Sequence, residues 1–166
     1  LSGGVSVGDF DFVTPALEDA GLRVHFTALS IKPGRPTTYA SGRGKAVFGL
    51  PGNPVSVYLM FHLLVLSAAA RLTGGSGQRR RLLLPLANDF RRRNVERSEY
   101  VPCRLSADGR LERVEYHGSA HLTALASCDG FFVVPQGMAS LSAGQSVTFL
   151  AKALASSFQD IRFHFQ

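Results

Sequence analysis

Gly49-Leu50-Pro51-Gly52-Asn53-Pro54-Val55-Ser56 decides the architecture of the first half of this chain. On its N-terminal side, Lys45 to Leu50 has strand composition, with Val47 and Phe48. On its C-terminal side an apolar run extends from Pro54 to Leu72, broken by His62 and Ser67 and closing at Arg71. Asn53 is placed to cap a helix, Pro54 suits the first helical position, and Ser56 falls in the first turn. Strand, tight turn and long helix in that order indicate an α/β layered domain. The helix is apolar on all sides and approaches the length of a membrane span. Its capping turn and polar breaks instead favour burial between a sheet and a partner subunit. Free N–H groups and the positive end of the dipole at its start suit a phosphate or similar anion.

Working outward, Arg23 to Leu29 reads as a strand. Thr14-Pro15 reads as a helix start, with Glu18 and Asp19 following and Gly21 as the stop. Residues 1–73 are thus expected to form part of a parallel α/β layer, within a domain spanning residues 1–74. Downstream, Thr73-Gly74-Gly75-Ser76-Gly77-Gln78 reads as a linker. Residues 79–151 look all-β: Arg81–Asn88, Glu99–Ser106, Leu111–His117, Phe131–Pro135 and Ser146–Leu150 have strand composition. Ala107-Asp108-Gly109-Arg110 supplies a hairpin turn, and His121–Ser127 a short helix. Several short strands in so few residues suggest a small barrel or sandwich. The tail, 152–166, has no clear period.

The composition narrows the class. The chain has 166 residues, 45% hydrophobic and 18% charged, which excludes a disordered tail or a collagen-like repeat. Lys plus Arg number 18 against 12 Asp plus Glu, a balance of +6 that suits an anionic ligand without demanding nucleic acid. Arg79-Arg80-Arg81 and Arg91-Arg92-Arg93 are interrupted by Asp89, Glu96 and Glu99 and lack an aromatic platform. They read as solvated strand ends or a subunit contact rather than a nucleic-acid surface. Cys103 and Cys128 fit neither a zinc spacing nor a disulfide framework, so both read as packing residues in a reducing cytosol. The chain opens on Leu1 and enters a glycine-rich motif at once, which reads as a piece of a longer protein.

Three loops carry chemistry. Ser2-Gly3-Gly4-Val5-Ser6-Val7-Gly8-Asp9-Phe10-Asp11 offers backbone N–H groups and hydroxyls to an oxyanion. Its two aspartates are hard oxygen ligands suited to magnesium. Ile31-Lys32-Pro33-Gly34-Arg35-Pro36 is stiffened by two prolines, so Lys32 and Arg35 are held at a sheet edge. The third loop is the Asn53 turn. Together they suggest an oxyanion-binding α/β site with a divalent metal.

In this order and spacing the three motifs resemble the molybdopterin molybdenumtransferase family, which includes MoeA proteins and the C-terminal part of gephyrin. The resemblance continues through Tyr116-His117-Gly118-Ser119 and Asp129-Gly130 to Pro135. It implies part of a MogA-like molybdopterin-binding α/β domain followed by a small all-β C-terminal domain of barrel-like form. The implied activity is insertion of molybdate into adenylylated molybdopterin with release of AMP, supported by magnesium. The implied setting is a cytoplasmic homodimer, with no nucleic acid and no membrane. The resemblance assigns Asp11 and Lys32 to catalysis, and Asp11 with Asp9 to the metal. It assigns Gly3, Gly4, Ser6, Gly8, Lys32, Pro33, Gly34, Pro51, Gly52, Asn53, Ser56 and Ser119 to ligand binding. Ala28 and Pro102 stand where the resemblance leads one to expect a lysine and an arginine, with Arg104 two residues from the latter. The alternatives are a molybdopterin-binding or scaffolding fragment without activity, and a molybdopterin adenylyltransferase. Residues 79–150 argue against the last, because that class lacks the β domain.

Overall fold

The computed structural model describes residues 1–5, 12–77, 81–115 and 125–152. Its first layer is a three-stranded sheet in the order β1–β3–β4, formed by Arg23–Phe26, Thr38–Gly42 and Lys45–Gly49. These strands pair antiparallel. Among the described residues, the parallel arrangement expected from the sequence is confined, in this layer, to a single bridge between Ser2 and Leu50. The reason is local. Arg43 and Gly44 both have positive φ, 52° and 70°, so a two-residue turn folds β3 directly back onto β4. Helix α1, Val13–Asp19, starts a residue before Thr14 and carries no side-chain cap at Phe12. It ends as expected at Gly21, where φ is +74° and the N–H reaches the Glu18 carbonyl.

The long helix α2 runs over Pro54–Leu72 and contains a π-helical turn at Phe61–Val65. Ahead of that turn Val55, Ser56, Leu59 and Met60 are buried; within it and beyond it no residue is fully buried. The wider turn rotates the apolar stripe, so the second half of α2 leaves its side chains half covered, with Phe61 and Leu72 exposed. By length and composition alone α2 is apolar enough to cross a membrane.

The second layer is a six-stranded sheet. Strands β5 (Arg81–Pro85), β7 (Ser98–Leu105), β8 (Leu111–Arg113), β9 (Gly130–Val134) and β11 (Ser146–Ala151) match the expected strands within a few residues. Two short strands, β6 (Phe90–Arg91) and β10 (Ser140–Leu141), pair with each other separately. The hairpin turn 107–110 is as expected, with Gly109 at φ +79° and its N–H on the Ser106 carbonyl. The sixth strand comes from the first half of the chain. Strand β2, Ile31–Lys32, lies parallel to β7 in the register Ile31–Ser98 and Lys32–Glu99.

Two cores result. One lies within the β domain, around Phe132, Phe149, Leu86, Leu111 and Val134. The other joins the halves: Leu50, Val55, Leu59 and Met60 of the first pack with Leu125, Cys128 and Phe131 of the second. Most of the expected helix over His121–Ser127 lies outside the described residues, although Leu125 is a member of this shared core.

Candidate functional site

Two of the three loops meet at the start of α2. The Gly3 N–H reaches the Leu50 carbonyl at 3.0 Å, and the Ser2 hydroxyl donates to the Pro51 carbonyl at 3.2 Å. A Cβ on Gly52 would stand 3.9 Å from the Gly3 Cα, so glycine loop and Asn53 turn are in contact. Gly3 and Gly4 both have positive φ, +83° and +66°, the conformation for which glycine is needed. Asn53 caps α2, its Oδ1 accepting from the Val55 N–H at 3.0 Å and the Ser56 N–H at 3.4 Å. The Val57 N–H goes to the Asn53 carbonyl, and Pro54 has none. The helix start therefore keeps its dipole but commits these N–H groups to its own cap, and Ser56 is buried. Here the structure corrects the expectation of free N–H groups in the first turn. Ser6, Gly8, Asp9, Asp11 and Ser119 lie outside the described residues. Among the described residues no three His, Cys, Asp or Glu side chains gather as a metal site.

The Lys32 loop is placed differently. Gly34 is buried at φ +105°, where a Cβ would come within 3.0 Å of the Met60 side chain. The Thr37 hydroxyl donates to the Gly34 carbonyl at 2.8 Å. Pro33 and Gly34 thus wedge the loop against the second turn of α2, while β2 carries Lys32 onto the edge of β7. There its ammonium lies 2.9 Å from Glu99 Oε1. Glu99 Oε2 faces the Arg92 guanidinium at 3.5 Å; this oxygen is buried and has no hydrogen-bond partner.

Lys32 and Glu99 line a recess of about 340 Å³ with Arg91, Arg92, Arg93 and Arg113. Five cations face one carboxylate, and among the described residues the recess includes none of the glycine loop or the Asn53 turn. Arg92 is structural. Its side chain is only 5% exposed, and its nitrogens reach the carbonyls of Met138, Arg97 and Pro135. That corrects the reading of the Arg91-Arg92-Arg93 run as solvated strand ends or a subunit contact at its middle residue, since Arg92 is the buried clamp that fixes the recess. Arg104 is elsewhere, 58% exposed and 3.9 Å from Glu112. Neither Glu99 nor Arg113 was singled out by sequence reasoning. The available signal was strand alternation, which puts Glu99, Val101 and Cys103 on one face of β7.

The cysteines are packing residues as expected. Burial pushes the Cys103 thiol strongly upward, and Cys128 beside it pushes the same way. Burial also raises Cys128, whose Sγ donates to the Leu125 carbonyl at 3.3 Å.

Comparison with known proteins places this geometry. A probable molybdopterin binding domain matches residues 1–71, and the MoeA C-terminal region (domain IV) matches residues 84–152. The class is therefore a molybdopterin-binding layer followed by the small β domain of MoeA proteins. The molybdopterin molybdenumtransferase of Haemophilus influenzae is 33% identical over 155 residues, covering 89% of this chain and 37% of that one. The molybdenum cofactor synthesis protein cinnamon of Drosophila melanogaster is 57% identical over 67 residues, 40% of this chain and 11% of that one. A crystal structure of the molybdopterin biosynthesis MoeA protein from Pyrococcus horikosii superposes with TM-score 0.73 at 28% identity, covering 92% of this chain and 37% of that one. The chain belongs to the MoeA and gephyrin family of molybdopterin molybdenumtransferases. It spans about 37% of the Haemophilus relative's length.

Proposed function

We propose that this chain is the oxyanion-handling part of an enzyme that inserts molybdate into adenylylated molybdopterin and releases AMP. The observation that carries the reading is Lys32, delivered by a rigid loop into a recess where five cations face one carboxylate. Molybdate and a pterin phosphate are both anions, and a concave surface of one sign concentrates such ligands. Catalysis of this kind rests on positioning and charge neutralisation and needs no covalent nucleophile. Lys32 binds and orients an oxyanion, and Pro33 and Gly34 fix its backbone. Gly3, Gly4, Pro51 and Gly52 shape a separate surface at the start of α2, outside this recess. Magnesium fits the donor set of Asp11 and Asp9, two hard carboxylates, and when bound supplies charge neutralisation.

We also read the protein as a cytoplasmic homodimer. The half-covered outer face of α2 supports a subunit contact in preference to a membrane span or a nucleic-acid surface, and the family resemblance assigns Ser119 to the site across the subunits. The test is Lys32→Gln in the full-length protein. Lys32 is half exposed, so melting stays near wild type, while molybdenum insertion drops on the order of tenfold or more through loss of a charged contact. Unchanged insertion removes Lys32 from the site. Asp11→Asn keeps the shape of the side chain and is expected to melt normally while losing most magnesium-dependent transfer. Lower stability with unchanged magnesium dependence would make Asp11 a structural cap instead.

A further inference from the structure

The recess has a second wall whose role follows from the sheet geometry. Strand β2 covers one half of the free edge of β7 and β8 covers the other, Lys32 opposite Glu99 and Arg113 opposite Cys103. Between them the edge is open at Tyr100 and Val101, while the Pro102 carbonyl accepts the Val114 N–H at 2.9 Å; all three β7 residues line the recess. Residues directly opposite one another in a sheet share a face, and Glu99, Val101 and Cys103 alternate onto the same face. Lys32 and Arg113 therefore project from the same side of the sheet at the two ends of the gap. Their partners, Glu99 and Cys103, are four residue steps apart, roughly 13 Å along β7. Two long cationic side chains reaching inward from that distance leave room for one compact anion.

The cations are not equivalent. Arg92 is committed to three carbonyls and Glu99. Lys32 is ion-paired with Glu99. Among the described residues Arg91, Arg93 and Arg113 have no carboxylate partner. Of these, Arg113 alone is held in place by a ring, its guanidinium carbon 5.7 Å from the centroid of Phe90. Phe90 is itself fixed edge-on against Phe132 at 5.5 Å, with both rings buried. A guanidinium stacked on a fixed ring loses less freedom on binding, and its planar fork suits an oxyanion.

We propose that Arg113 binds the oxyanion substrate directly, opposite Lys32, and that Arg104 takes no part. This rests on the oxyanion reading of the recess given above. The experiment is calorimetric titration of molybdate, with tungstate as a second tetrahedral dianion, into the full-length protein and its variants. Arg113→Gln is expected to weaken binding about tenfold, the scale of one charge-assisted contact. Arg113→Lys should recover part of that loss, and Arg104→Gln should bind as wild type. Melting curves identify any variant that fails to fold, in which case Arg113→Lys, which keeps the charge and the stem, decides by a partial loss without unfolding. Normal binding by Arg113→Gln alongside weakened Lys32→Gln overturns the role of Arg113 and leaves the recess reading intact. Normal binding by both overturns both. Equal weakening by Arg104→Gln and Arg113→Gln shows a diffuse field effect and overturns the specific contact.

Discussion

Replacing Glu99 by glutamine removes one negative charge from between Lys32 and Arg92 without changing the side chain's shape. The Arg92 guanidinium lies 3.5 Å from Oε2, and both side chains are largely shielded from water, at 5% and 14% exposure. At an effective dielectric of about 20, the gross attraction at that distance is on the order of 4–5 kcal/mol. Neutralising the carboxylate removes its own desolvation penalty, which offsets roughly half of this. Lys32 adds little, because its side chain is 50% exposed and the pair is screened, worth about 0.5 kcal/mol. Glutamine also presents an amide N–H₂ to one of the two cations whichever way it flips. The net expectation is a loss of about 2 kcal/mol. With a urea dependence of about 2 kcal/mol per molar, the unfolding midpoint falls by about 1 M. Lys32→Gln, measured alongside, should move the midpoint by less than about 0.3 M, since its contribution is screened. The same Glu99→Gln change makes the recess more positive by one charge, so molybdate binding should tighten several-fold. A midpoint equal to or above wild type would mean that the three carbonyls alone hold Arg92, and the argument for Glu99 as the organising charge fails.

Two further outcomes are expected. Gly130→Ala places a Cβ in collision with the Leu150 carbonyl oxygen and 2.6 Å from the Phe149 ring, between paired strands that cannot separate. The loss should exceed about 4 kcal/mol, visible as lost soluble yield and lost β signal in circular dichroism. Cys103 and Cys128 should resist a thiol reagent at pH 8 in the native protein and react fully in denaturant. Burial raises both thiols, so the reactive thiolate is depleted at that pH and appears only as pH climbs towards the raised values. Rapid native labelling at pH 8 would contradict the buried placement of both.

Much of the fold was legible because local chemistry and final structure agree. Asn53-Pro54 marks the start of α2 and caps it as its residue types require. Gly21 ends α1, and Gly109 turns β7 into β8. The parallel layer was over-read because the signal for β3 is weak: Thr38–Gly42 mixes small and polar residues and has no strong alternation. Its hairpin with β4 turns on Arg43-Gly44, an unusual pair for that turn because arginine is seldom found at positive φ. Strand β2 is two residues long and pairs across 66 positions of sequence, which no local pattern reports. The glycine loop and the Asn53 turn were legible as anion-binding motifs, but their meeting at one helix start was not. The recess was not, because it depends on that distant pairing. The arginine run looked solvated because charge runs usually are. What distinguishes Arg92 is three carbonyls brought together from positions 97, 135 and 138.

The loan of Ile31–Lys32 to the β domain bears on how modular this protein is. The glycine-rich joint at 73–78 invites the view that the β domain could be exchanged for that of a relative by cutting there. Such a graft would leave the first half of the β7 edge uncovered and remove the lysine that faces Glu99. It would also strip Leu125, Cys128 and Phe131 of the helix face they pack on. A transplantable unit must carry the β2 loop and the first turns of α2 with it. The working boundary is therefore a surface running through the first half of the chain, and the peptide bond at which a substitution can succeed does not lie in the glycine-rich joint.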